Sequence, residues 1–138
     1  MNFTEDTRLN CMVANTTFKG HKIKIRLTLE ENNILESVAK ESIHEVEENW
    51  TKIETAITTE LYGLFIREWA EDDEKDYSKE EFFEKIIPTT IDFDDYEDEE
   101  TEQTYTMYFK DSSLFGNHGI QVFWGKGNIK KIDVSLVG

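Results

Sequence analysis

The stretch from Leu35 to Trp69, LESVAKESIHEVEENWTKIETAITTELYGLFIREW, decides how the rest of the chain is read. Its apolar residues are Leu35, Val38, Ala39, Ile43, Val46, Trp50, Ile53, Ile57, Leu61, Leu64, Phe65 and Trp69. Most steps between them are three or four, which lines one stripe of an α-helix. Glu, Lys, Thr and Ser fill the intervening positions, and no glycine or proline interrupts before Gly63. A straight helix of this length would span roughly 50 Å at 1.5 Å per residue. A compact domain of this size has a radius of gyration of about 14 Å. The helix must therefore bend, break or protrude. The β-branched residues of the segment 49–59 make it the weak point, with the break expected near Asn49–Thr51.

Strand patterns flank this stretch. Residues 11–18 read as a strand with Val13 and Cys11 facing inward. Lys19-Gly20-His21 is a turn. From Lys22 to Leu29, Ile23, Ile25, Leu27 and Leu29 alternate with Lys22, Lys24, Arg26 and Thr28, the period of two of a strand with one buried face. These two strands form a hairpin. Asn33 and Glu36 have the spacing to cap the helix that follows. Downstream, Ser78 and Glu81 form a capping box for a short helix buried through Phe82, Phe83 and Ile86 and ended by Pro88. Further strands follow at Thr89–Phe93 (Ile91 and Phe93 inward), Thr104–Lys110 (Tyr105, Met107 and Phe109 on one face), Ile120–Trp124 and Ile129–Val137. Asp111-Ser112-Ser113 and Gly125-Lys126-Gly127-Asn128 are turns. The order predicts an α+β fold: a mainly antiparallel sheet of about six strands, with one long, bent helix and a short second helix on one face. Residues 1–138 are expected to form one domain, with 1–10 flexible.

The chain carries 30 Asp and Glu against 15 Lys and Arg, a formal charge of −15, and the excess is concentrated. Residues 71–102 hold 16 acids and 3 bases, whereas residues 103–138 hold 2 acids and 4 bases. Such a chain is repelled by phosphate backbones, which argues against direct nucleic-acid binding and favours a basic protein partner. The plainer account of the run is a solvated face. A single cysteine, Cys11, excludes an intramolecular disulfide and suits a reducing compartment. No basic-then-apolar leader opens the chain and no apolar run has membrane-spanning length, so a cytoplasmic protein without membrane contact is expected.

Reactive motifs are missing. Cys11 and the histidines His21, His44 and His118 fit neither a nucleophile pair nor a zinc pattern. The run Asp92-Phe93-Asp94-Asp95-Tyr96-Glu97-Asp98 departs from a calcium loop at Tyr96 and at the position after it. Gly125-Lys126-Gly127 lacks phosphate-loop spacing, and Lys22, Lys24 and Arg26 read as the polar face of a strand. Thirty carboxylates bring some to glycosidase spacing by chance. No metal, cofactor or catalytic residue is called for, and a non-enzymatic protein is expected. The most distinctive turn is Leu114-Phe115-Gly116-Asn117-His118-Gly119-Ile120. It is read either as a tight turn or as a small-ligand site made by Gly116, Asn117, His118 and Gly119.

The hairpin, the long Trp-containing helix, the acidic connector, the 111–118 segment and the terminal Asp133-Val134-Ser135-Leu136-Val137-Gly138 together resemble the domain-of-unknown-function family twenty-two sixty-two, small and mostly bacterial proteins. The resemblance spans Lys19 to Gly138. It implies an α+β fold and a bacterial or phage origin, and no chemistry. A weaker analogy, from size and charge, points to immunity proteins of toxin systems. The favoured expectation is an immunity-protein-like inhibitor that masks a basic partner, a toxin or a nucleic-acid-binding protein. Its contact residues would be Asp72, Asp73, Glu74, Asp76, Tyr77, Asp94, Asp95, Tyr96, Glu97, Asp98 and Glu99. The alternative is a ligand-binding or regulatory domain using the His118 turn. The oligomeric state is left open by the sequence, although an unpaired strand edge offers itself to a second copy.

Overall fold

The computed structural model describes residues 1–29, 32–95, 103–110 and 114–138. Seven strands form one sheet in chain order: β1 (Phe3–Asp6), β2 (Cys11–Phe18), β3 (His21–Thr28), β4 (Ile87–Asp94), β5 (Thr104–Lys110), β6 (Gly119–Gly125) and β7 (Asn128–Val137). All neighbours are antiparallel except β3 and β4, which run parallel. A parallel pair cannot be closed by a tight turn, so the chain must cross from one end of the sheet to the other. The connection from Leu29 to Ile86 makes that crossing and carries the helices.

Those helices are α1 (Leu35–Glu48), α2 (Trp50–Ile57) and α3 (Lys79–Glu84), with π-helical turns at Thr58–Tyr62 and Phe65–Trp69. The single long helix expected over 35–69 is a succession of shorter segments, and the break expected near Asn49–Thr51 falls at Asn49. Asn49 separates the first two, with ψ of 12° and its side-chain Nδ2 donating to the Glu45 carbonyl at 2.8 Å. The Thr58 hydroxyl donates to the Glu54 carbonyl at 2.7 Å where the first π turn begins, a competing bond that disturbs the helical ladder. The second π turn closes with the Ala70 amide donating to Phe65, five residues back. Asn33 does not cap α1. It lies in a 3-10 turn at Asn32–Ile34, and no side chain caps the helix. The capping box of α3 forms as expected: the Glu81 amide donates to Ser78 Oγ and the Ser78 amide to Glu81 Oε1.

Three rows of side chains on the helix-covered face make the core. Leu27, Phe93, Tyr105 and Trp124 form one; Ile25, Ile91, Met107, Val122 and Val134 the next; Pro88, Phe109, Ile120 and Leu136 the third. From the helical layer, Ala39, Val46, Ile53, Ile57, Leu61 and Phe65 close over them, all buried. Register corrects one expectation. Ala14 lies opposite Ile25 and Val13 opposite Arg26, so Val13 and Cys11 belong to the open face, where Cys11 is nonetheless buried, and Ala14 and Phe18 are the residues of β2 buried on the helix-covered face. Small Ala14 and polar Thr16 on the inner side hide the alternation from a sequence reader, because a slip of one residue exchanges the two faces. Two further corrections concern number and order. Among the described residues the sheet has seven strands where about six were expected, and residues 1–10 include β1, paired with β2 from Phe3↔Ala14 to Asp6↔Cys11.

The register is open to test by urea denaturation. Ile25→Ala is expected to cost about 2–5 kcal/mol, the range for a buried aliphatic truncated in a close-packed core. Val13→Ala on the open face is expected to cost about 1 kcal/mol or less. Equal losses would place Val13 in the core instead.

Candidate functional site

Strand direction sorts the polar features into two ends of the sheet. At one end, the second π turn stops where Ala70 turns to an extended ψ of 131°, and the acidic connector 71–78 follows. Trp69 stands at this boundary and is 37% exposed, although it is the last aromatic of an otherwise buried stripe. Its ring packs edge-on against Phe115 (5.8 Å between centroids) and against His118 (5.9 Å). The turn after β5 is built to receive it. Gly116 has φ of 65°, a left-handed backbone natural to glycine, and a Cβ there would stand 3.5 Å from the Trp69 ring. The His118 amide donates to the Phe115 carbonyl at 3.2 Å. Phe115 is wholly buried and joins this turn to Phe65 and Phe82, so the Trp69 pedestal is rooted in the core.

The connector is ordered by its own bonds. The Glu71 amide donates to Glu74 Oε1 at 2.9 Å, and the Glu74 and Tyr77 amides donate to Glu71 and Glu74 carbonyls. Tyr62 donates its hydroxyl to the Tyr77 carbonyl, and Tyr77 stacks on Phe65 at 6.1 Å. Asp72, Asp73 and Asp76 point into solvent, with Asp72 3.1 Å from Lys75.

The other end is occupied by α1 and the β6–β7 turn. Trp124, fully buried, donates its indole N–H to Glu45 Oε1 at 3.3 Å. Lys126 lies 3.5 Å from Glu41, and its amide donates to the Gln103 carbonyl. Gln103 donates its side-chain amide to Asp95, whose own amide donates to Thr28. Tyr105 is buried beside Ser42. Burial pushes its phenol up to about 12, the Glu45 and Glu41 carboxylates add to the rise, and the Ser42 hydrogen bond opposes it. This cluster ties α1 to the sheet.

On the open face, Arg26 spans β3 and β4 with its guanidinium 3.1 Å from Asp92 and 5.2 Å from the centre of the Tyr108 ring. Cys11 and Leu9 complete a small cleft of about 220 Å³. Burial raises the Asp92 carboxyl, Arg26 opposes that rise and Asp94 adds to it. The Cys11 thiol is also raised, first by burial and then by Asp92 and Asp6, with Arg26 opposing, so it is held as a protonated, weakly nucleophilic thiol. Among the described residues, no group of three or more His, Cys, Asp and Glu is arranged to hold a metal ion, and no helix is long and apolar enough to cross a membrane.

The acidic residues singled out from the sequence thus do not form one surface. Asp72, Asp73, Glu74, Asp76 and Tyr77 lie at the Trp69 end. Asp94, the last residue of β4, and Asp95 after it lie at the far end of that strand, whose eight residues span about 23 Å at 3.3 Å per residue. Tyr96, Glu97, Asp98 and Glu99 fall outside the described residues, as do Asp111, Ser112 and Ser113. Conversely, of Gly116, Asn117, His118 and Gly119, the structure brings Gly116 and His118 against Trp69, a residue of the apolar stripe, while Gly119 approaches Phe109 and Val137. The missed signal was the position of Trp69: a tryptophan closing a helix, directly before an acidic run.

A family model described as an uncharacterized protein conserved in bacteria (DUF2262) matches residues 1–133. The matched span begins at Met1 rather than at Lys19, and it stops at Asp133, ahead of the last residues on which the resemblance had drawn. No curated protein and no solved structure matches the chain.

Tyr105 gives this region a pH signature. Its phenol ionises later in the folded protein than in the unfolded chain, where an ordinary tyrosine titrates near 10. The folded state therefore holds the extra proton, and stability falls as pH rises from about 10 through about 12. In denaturant titrations, Tyr105→Phe is expected to remove part of that alkaline loss. An unchanged alkaline slope would show that Tyr105 ionises as freely folded as unfolded.

Proposed function

The chain belongs to the DUF2262 family of uncharacterized bacterial proteins, and from that premise we propose that it is a non-enzymatic binding protein that docks a basic protein partner at the Trp69 end of the sheet. One observation carries the reading. Trp69 is partly exposed, held edge-on by Phe115 and His118, and followed at once by the solvent-facing carboxylates of Asp72, Asp73 and Asp76. Tryptophan is over-represented among residues that dominate interface energetics, and a rigid pedestal lowers the entropy lost when it docks. Carboxylates around such an anchor speed encounter with a cationic surface and disfavour an acidic one.

The Gly116–Gly119 turn has a part in this reading without a bound small molecule, since its glycine and histidine shape the seat of Trp69. Asp94 and Asp95, at the opposite end, contribute long-range field rather than contact. The partner would be a cationic toxin or a nucleic-acid-binding protein met in the bacterial cytoplasm, which the chain would mask in the manner of an immunity protein.

Affinity capture from bacterial extract in low salt, with the full chain as bait, is expected to recover a basic protein. Against that protein, Trp69→Ala should lose about 2 kcal/mol or more, a factor of about 30 in Kd. Replacing Asp72, Asp73 and Asp76 together by Asn should slow association about tenfold in dilute buffer, with the difference vanishing in high salt. Recovery of no basic protein, or variants that bind as the wild type does at every ionic strength, would refute the reading.

A further inference from the structure

Beside the last strand we infer a binding groove for a small organic anion with an apolar body, a fatty-acid-like carboxylate. The groove runs between α2 and β7 and has a volume of about 390 Å³, within the range of small-molecule sites. Neither Trp69 nor the acidic connector takes part in its lining, so the site is separate from the proposed docking end.

An irregularity in β7 opens the groove. Phe123 pairs with Asp133 and Gly125 with Asn128, so one residue of β6, Trp124, stands against four of β7, residues 129–132. A regular strand turns successive side chains to opposite faces. In this bulge Ile129 and Lys130, neighbours in sequence, both line the groove, and Ile132 joins them. The helical wall opposite does not fill the space. It presents two rows at four-residue spacing, Thr51-Thr55-Thr59 and Lys52-Ala56-Glu60, and the middle residue of each row is short.

The lining specifies the occupant. Ile129, Ile132, Ala56 and the threonine methyl groups offer apolar contact, which favours an alkyl body over a wholly polar ligand. Lys52 and Lys130 add two ammonium groups. Among the described residues neither is in an ion pair, whereas Lys40, Lys75 and Lys126 each lie against a carboxylate. Glu60 is the one carboxylate among the described lining residues, so two ammonium groups against one carboxylate leave the groove at +1 on a chain of −15. A carboxylate headgroup takes charge-assisted hydrogen bonds from the lysines, and the threonine hydroxyls are further donors. An alkyl amine of the same length meets like charge instead. The acidic surface elsewhere repels the anion and confines it to this groove.

Nuclear magnetic resonance of the isotope-labelled full chain, titrated with decanoate below its micellar concentration, tests this. Decanoate is expected to shift the amides of residues 51–60 and 129–132 saturably, and decylamine to leave them in place. Replacing Lys52 and Lys130 together by Gln should weaken decanoate binding about tenfold, with circular dichroism unchanged. Glu60→Gln should strengthen it. Ala56→Phe, which fills the groove, should abolish the shifts; should that variant not fold, the exposed lysine pair still decides. No saturable shift, shifts centred on other residues, decylamine binding as tightly as decanoate, or lysine variants that bind as the wild type does would overturn the inference.

Discussion

Everything in this fold follows from the parallel pairing of β3 with β4. Five of the six connections join antiparallel neighbours, but this one pair requires a return journey across the sheet. The chain from Leu29 to Ile86 makes that journey on one face, where it buries the aliphatic and aromatic rows of the central strands. The other face is left to Arg26, Asp92 and Tyr108, which hold one another by an ion pair and a guanidinium–ring contact. The pairing also sets where charge can go. Glu41 and Glu45 reach the sheet only at the end where α1 begins, and there they are matched by Lys126 and by the Trp124 indole.

The same constraint divides the acidic run. In sequence it is one block; in space β4 passes through it and carries Asp94 and Asp95 to the end of the sheet opposite Asp72, Asp73 and Asp76. A surface that looked continuous on paper becomes a local patch at Trp69 and a separate charge at the far end. The patch gains what the run alone lacked, an aromatic anchor on a buried pedestal. On the proposed reading, electrostatic attraction serves the approach and Trp69 the final fit.

Much of the architecture was legible because local chemistry and tertiary demand agree. The alternation of Ile23, Ile25 and Leu27 survives folding unchanged, as do the Ser78–Glu81 cap and the inward face of β5. Legibility fails where side chains do not advertise their surroundings. Ala14 is buried although small, and Val13 is apolar although on the open face, so β2 reads one residue out of phase. Strand β1 is short and polar, and only its partner explains it. The helical stripe showed Ala39, Val46, Ile53, Ile57, Leu61 and Phe65 as buried, and the break expected near Asn49–Thr51 falls at Asn49, but the π turn at Thr58 rests on a side-chain bond to the backbone that apolar spacing cannot report. Trp69 fits the stripe by spacing yet emerges partly exposed, since Phe115 already fills the space beneath it.

Hydrogen exchange resolved by residue tests the central pairing most directly. If β3 and β4 form the keystone of the sheet, the amides of their hydrogen-bonded central residues, around Ile25 and Ile91, exchange only through global unfolding. They should be the slowest in the protein, with β1 and the 71–78 connector exchanging far sooner. Amides of β3 or β4 exchanging as fast as those of β1 would show that the two strands are not joined, and the crossover, with everything it positions, would have to be abandoned.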